Sequence, residues 1–290
     1  MIKGNKVKGD YLLIILCWLA YTFAQLGRYS YNSNVIMIMD RFAIDHATAS
    51  IPATLFFFAY GAGQIVVGFL CGRFNRRTLV TLALLATALL NIAVFFSNKF
   101  FIIKYIWLLN GFAQAVLWPT LLLILRENVS AEKMEIASVV MATASLGGRF
   151  VAMGVCALFA IDASVFTYCF LAAGIVLILI AAVFFAVTGD IKKPEKNTIV
   201  NFADKKKDKE KVKADKYTVF LLILLGEFSF ACYAISGGLQ QWVPSIMKEN
   251  YGLTDSISIF VSTFLPLFSL PSALIAPYLC RKLKNYALIA

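Results

Sequence analysis

A single histidine, His46, stands in 290 residues, and it falls in a connection between apolar runs. One imidazole cannot build a His-based metal site or a Ser–His–Asp relay, so neither is the centre of this chain's chemistry. Acids are scarce as well: 16 Asp and Glu stand against 27 Lys and Arg, and charged residues make up only 15% of the chain. Glu227 is the one acid inside an apolar run, so the paired acids or Ser/Lys dyad of an intramembrane enzyme are missing and no enzymatic activity is expected. The six cysteines (Cys17, Cys71, Cys156, Cys169, Cys232 and Cys280) stand singly without a CxxC pair. They read as small core residues, and neither a disulfide framework nor a metal site follows. There is no GxGxxG after a strand and no GxxxxGK followed by Ser or Thr, so no cofactor is expected.

What the chain has instead is hydrocarbon. It is 60% hydrophobic with a mean hydropathy of +0.78, too apolar for a soluble protein, and this predicts an all-α polytopic membrane protein. At about 20 residues per span, helices are expected near 11–39, 49–72, 78–97, 100–125, 135–160, 164–188, 217–247 and 257–280. The basic N-terminus leads into an apolar segment too long for a signal-peptide core, so the segment is read as the first retained span. Residues 1–189 then form a six-helix half, 190–216 a linker, and 217–290 a partial second half. The linker holds ten lysines and six acids with Phe202 as its only aromatic, a composition that cannot build a core and reads as a solvated tether.

The net charge of +11 would suggest nucleic acid in a soluble domain, but the cations here gather between apolar runs, as membrane topology requires. No nucleic-acid partner is expected; the partners are the lipid bilayer and a small-molecule substrate, with the chain working as a monomer. With the N-terminus inside, 21 Lys and Arg fall on the cytoplasmic side and four outside. That bias places the N-terminus, the linker and the C-terminus in the cytoplasm and the chain in the cell membrane.

The remaining two cations, Arg28 and Arg149, fall inside predicted spans. A guanidinium at the bilayer centre costs at least about 2.5–3.5 kcal/mol, so each asks for a reason. Tyr21, Gln25, Arg28 and Asn32 share one face of the first helix. Asn110, Gln114 and Trp118 align on the fourth, Met141, Ser145 and Arg149 on the fifth, and Tyr233, Ser236 and Gln240 on the seventh. Polar stripes on several helices imply a shared aqueous cavity in which the two arginines attract an anion, because lipid would leave these groups unsatisfied. The competing reading has each arginine satisfied by carbonyls or by Glu227, serving packing alone, and Arg149 follows Gly147 and Gly148, which suit a close helix crossing. Glu227 is itself a candidate proton-coupling site, although at 100° per residue it lies roughly 140° around the helix from Gln240. Gly61 and Gly63, beside Tyr60 and Gln64, read as close helix packing.

One loop repeats. Gly68-Phe-Leu-Cys-Gly-Arg-Phe-Asn-Arg-Arg77 returns as Ala276-Pro-Tyr-Leu-Cys-Arg-Lys-Leu-Lys284, an apolar run ending in small residues and a tight basic cluster, which implies an internal repeat. Gly68, Arg73, Arg76 and Arg77 resemble the G-x-x-x-D-R-x-G-R-R/K loop signature of the major facilitator superfamily, with Gly72 in place of the aspartate and Asn75 in place of the second glycine. Tyr60-Gly-Ala-Gly-Gln64, Trp107-x-x-Asn110-Gly111-x-x-Gln114-x-x-x-Trp118-Pro119 and Trp242-x-Pro244 are similar to its organophosphate:phosphate antiporter branch, which includes the glycerol-3-phosphate and hexose-phosphate transporters.

The resemblance implies an alternating-access secondary transporter with its site between two six-helix halves. It implies a phosphate-binding role for Arg28, a partner arginine where this chain has Ser236, and a histidine near Ala144, with Arg149 one helical turn beyond. It implies twelve spans where this sequence carries eight and the opening of a ninth, so a fragment or truncated reading frame is expected. The substrate expected is a small organic anion, an organophosphate or carboxylate, lined by Arg28, Arg149, Tyr21, Gln25, Asn32, Gln114, Ser236 and Gln240. Two alternatives stand beside this one: a proton-coupled symporter or exporter using Glu227, and a membrane sensor that binds its ligand without moving it.

Overall fold

The computed structural model of the chain describes residues 9–71, 74–189 and 216–264, together with residue 275. Ten helices follow one another among them: α1 (Asp10–Ser33), α2 (Val35–Phe42), α3 (His46–Leu70), α4 (Arg76–Phe96), α5 (Phe100–Ala115), α6 (Leu117–Asn128), α7 (Ala131–Phe159), α8 (Tyr168–Val187), α9 (Lys216–Tyr251) and α10 (Asp255–Ser262). Among the described residues six stretches are long and apolar enough to cross a membrane, namely α1, α3 up to Gly68, α4, α5 with α6, α7 and α8. The predicted linker lies outside the described residues except for Lys216, which opens α9. Most of the predicted eighth span, and the repeated loop at 276–284, lie outside them as well.

Two predicted spans are each a pair of helices. The first turns at Asn34, whose backbone N–H donates to the Tyr31 carbonyl rather than four residues back, while its side-chain Nδ2 donates to the Ser30 carbonyl at 2.8 Å. The side chain thus covers the carbonyl that the helix vacates at the turn. The predicted fourth span breaks at Val116 because Pro119 has no N–H to offer the carbonyl of Ala115 and its ring crowds that oxygen. Gln64 of α3 supplies the missing donor, with Nε2 3.2 Å from the Ala115 oxygen. Elsewhere side chains move the boundaries by a few residues. Asp45 caps α3 by accepting from the Thr48 N–H at 2.9 Å, and that bond holds its carboxyl below the usual carboxylate range. Asn75 caps α4 by accepting from the Arg77 N–H at 3.0 Å.

α1 packs parallel to α7 and α3 parallel to α5, while α8 runs antiparallel to both of its main neighbours, α1 and α4. Small residues set several close crossings. A Cβ on Gly148 would meet the Thr22 carbonyl at 2.5 Å, and one on Gly63 would meet the Ala115 Cβ at 2.6 Å. Among the described residues Gly61 has open space around it, and of the pair it is Gly63 that serves packing there.

Two large apolar clusters dominate the core of the described residues. One gathers Leu13, Cys17, Leu84, Leu121, Ile124 and Phe184 toward the end that carries Arg76, Arg77, Arg126 and Lys133. The other gathers Tyr31, Phe56, Trp107, Cys156 and Phe170 toward the opposite end. Between them lies a buried polar layer of Gln25, Arg28, Ser30, Asn91, Asn110 and Gln114.

Candidate functional site

Arg28 stands in that polar layer, only 7% exposed. Its Nε donates to Gln114 Oε1 at 3.1 Å, and its guanidinium carbon lies 4.3 Å from the Tyr60 ring centroid and 5.2 Å from that of Phe56. α1 supplies the cation, α5 the amide and α3 both rings. The aromatic faces offer a cation some compensation for lost water, but they carry no countercharge. Among the described residues no carboxylate pairs with Arg28. With Nε committed to Gln114, the other donors of the guanidinium are its two terminal amino groups, a fork whose geometry suits carboxylate and phosphate oxygens.

The surrounding amides hold this arrangement. Gln114 Nε2 donates to Asn110 Oδ1 at 3.3 Å, and Asn110 Nδ2 donates to the Gly27 carbonyl at 3.0 Å. Asn91 of α4 donates to the same carbonyl at 3.1 Å and accepts from Ser30 Oγ at 3.0 Å. Tyr21, one turn from Gln25, packs its ring 4.7 Å from that of Trp118. Gln25 Oε1 and Asn32 Oδ1 are buried without a hydrogen-bond partner among the described residues.

The sequence-predicted residues thus divide. Arg28 and Gln114 are bonded to each other, and Tyr21, Gln25 and Asn32 line the same helix. Arg149, half-buried on α7, lies over the Tyr29 ring at 5.2 Å, so each arginine is held by its own aromatic group. Ser236 and Gln240 belong to α9, and their side chains lie outside the described residues. Glu227 sits on an exposed face of α9. Of the loop signature, Gly68 ends in open space near the end of α3 and Arg73 lies outside the described residues. Arg76, 4% exposed, pairs with Glu127, and Arg77 donates to the Phe185 carbonyl with its guanidinium over the Phe185 ring. No group of three or more His, Cys, Asp or Glu suited to a metal ion occurs among the described residues.

Sequence reasoning passed over Asn91, Phe56 and the ring of Tyr60. Asn91 is a lone amide in the apolar run 79–96, and a polar group there is itself a signal of an interhelical bond. Phe56 carried no such signal, because an aromatic residue in an apolar span is ordinary.

The opposite end of the bundle is tied to α9 and α10. Lys248 Nζ lies 2.9 Å from both Asp40 and Asp255, His46 pairs with Glu249 at 3.1 Å, and Ser256 Oγ donates to the Ala157 carbonyl at 2.8 Å. Burial alone would lower the Lys248 pKa, but the bonds to Asp255 and Asp40 outweigh it and hold the ammonium above the usual lysine value. A cleft of about 480 Å³ opens beside this cluster, lined in part by Asp40, Arg41, Ser164, Thr167 and Asp255, and it includes none of the residues around Arg28.

Comparison with known families decides what kind of molecule this is. The model of the Major Facilitator Superfamily matches residues 17–290. The chain belongs to the Major Facilitator Superfamily. Membership in this transporter family, together with the six apolar spans, makes it an integral multi-pass membrane protein. Its fold is similar to that of a bacterial homolog to the human lysosomal transporter Spinster. The match to the inward-facing and occupied conformation has a TM-score of 0.75 at 17% identity, over 96% of this chain and 63% of that one. Against the inward-facing and unoccupied conformation the TM-score is 0.61 at 15% identity, over 94% and 61%. In sequence, 102 residues are 30% identical to the membrane sensor protein UhpC of Escherichia coli (strain K12) and of Salmonella typhimurium (strain LT2). That stretch is 35% of this chain and 23% of each sensor protein, so the chain spans under a quarter of the curated relatives it matches.

Proposed function

We propose that the whole protein is an alternating-access carrier for a small organic anion, a phosphate ester or a carboxylate, and that Arg28 is the group that meets it. One observation carries this reading: a cation buried between two apolar clusters, fixed at Nε by Gln114, stands without an acidic partner among the described residues. A guanidinium so placed is costly unless something anionic completes it, and a substrate that arrives and leaves does so without becoming part of the protein. Gln25 and Asn32, with buried oxygens awaiting donors, line the same helix and suit the hydroxyl groups of such a solute. The ties between α2, α3, α9 and α10 support a state closed at the end opposite the basic loops. With the basic loops in the cytoplasm, that state opens inward. Reconstituted into liposomes, Arg28→Ala should insert normally and lose anion-driven exchange; unchanged exchange would make Arg28 a structural residue.

A second reading is favoured by the curated relatives, which are named membrane sensor proteins. A sensor would use the same Arg28 site to bind the anion without carrying it. Equilibrium binding measured beside flux separates the two, because a sensor shows saturable binding with no exchange.

A further inference from the structure

We propose that Asn110 is a positioning residue for Arg28, acting through Gln114, with Asn91 bracing the same point of α1. The inference rests on the reading of Arg28 as the anion-binding group. Asn110 is fully buried and committed at both ends, its Nδ2 to the Gly27 carbonyl at 3.0 Å and its Oδ1 to Gln114 Nε2 at 3.3 Å. It makes no hydrogen bond to Arg28 itself among the described residues. Its effect on the cation is therefore indirect, and the polarity of the amides shows how it works.

A backbone carbonyl only accepts, so Gly27 forces Asn110 to turn its NH₂ toward α1 and its oxygen toward Gln114. That oxygen takes a donor, which commits Gln114 Nε2 and leaves Gln114 Oε1 as the end facing Arg28. The reverse orientation of Gln114 would set an NH₂ against the guanidinium, donor against donor. Asn91 adds a second amide on the Gly27 carbonyl at 3.1 Å, and its own oxygen accepts from Ser30 at 3.0 Å. α1 is thereby pinned from α4 and α5 at the residue next to Arg28. Gly27 permits the approach, since a Cβ there would meet Thr87 Cγ2 at 2.7 Å and Leu177 Cδ1 at 2.8 Å. The outcome is a guanidinium whose Nε is always spoken for and whose terminal fork is always presented the same way. Removing Asn110 frees Gln114 to rotate, and Arg28 then meets an anion in several orientations.

The test is a double-mutant cycle on the purified full chain, titrated with inorganic phosphate. Asn110→Leu and Gln114→Leu are each expected to weaken binding about tenfold, and the double variant also about tenfold, because both act through one bond. A loss of about a hundredfold in the double variant, or unchanged affinity in Asn110→Leu, would overturn the proposal. A second readout does not depend on the ligand: in ¹⁵N-arginine-labelled protein, the Nε–H cross-peak absent from Arg28→Lys should shift in Asn110→Leu, and in Asn110→Ser if the leucine variant folds poorly. An unmoved cross-peak overturns the relay. Equal phosphate binding by the wild type and Arg28→Ala would instead defeat the anion reading, while the cross-peak would still judge the relay.

Discussion

Lys248 Nζ donates to Asp40 Oδ2 at 2.9 Å, although 208 positions of sequence separate the two residues. Asp40 lies near the end of α2 and Lys248 near the end of α9, so the bond ties the first six-span bundle to the helix that follows the charged segment. Asp255 shares the same ammonium at 2.9 Å.

Lys248→Ala should loosen that end of the molecule. Pairs this exposed contribute about 0.2–1 kcal/mol each, so the loss of both should shift the open population by about two- to thirtyfold. A cysteine placed at Phe166, buried in the adjoining cleft, should react with a maleimide faster by that factor in the Lys248→Ala background. An unchanged rate would show that the ion pairs do not hold the end closed.

Gln64 and Pro119 form a compensated pair. Gln64→Leu removes the donor to the Ala115 carbonyl, and an orphaned buried carbonyl costs about 1–3 kcal/mol. Pro119→Ala restores a backbone N–H four residues beyond that carbonyl, so it should recover much of the loss in the double variant. Thermal unfolding of the four proteins in detergent measures the coupling, and strictly additive effects would contradict the assignment.

Gly61 and Gly63 should respond in opposite directions. Gly61→Ala enters open space within a helix and should raise stability by up to about 1 kcal/mol. Gly63→Ala presses on Ala115 and should lower it by about 1–3 kcal/mol. Melting temperatures that move together would show that the crossing of α3 and α5 does not depend on Gly63.

Glu127→Gln should destabilise the fold by about 3 kcal/mol, because it leaves Arg76 buried without its counterion. Arg76→Met in the same background should restore part of the loss. The same pair of measurements tests whether the basic loop serves as a lock at that end or only as a marker of topology.

How far these features were legible follows from their physics. Spans of 20 apolar residues declare themselves, because nothing else in a chain needs that much uninterrupted hydrocarbon, and the six candidate spans fall where the runs are. The face of α1 that carries Tyr21, Gln25 and Arg28 was legible for a related reason, since polar groups at helical spacing in a span require a common destination. The turn at Asn34 was not, because it depends on one side chain taking over the Ser30 carbonyl, an event without a periodic signature. The break at Val116 was signalled by Pro119, but its repair by Gln64 joins residues 51 positions apart. Phe56 and Tyr60 beneath Arg28 were hidden for the same reason: which aromatic group meets a cation is decided by the packing of α1 on α3, not by either helix alone.

Everything proposed for this carrier depends on Arg28 meeting an anion. The most direct test is an equilibrium titration of the purified protein with inorganic phosphate, comparing the wild type with Arg28→Lys and Arg28→Ala under conditions where all three melt alike. Saturable binding in the wild type is predicted, weaker by about tenfold in Arg28→Lys, which keeps the charge and loses the fork, and absent in Arg28→Ala. Binding by Arg28→Ala with wild-type affinity would contradict the account.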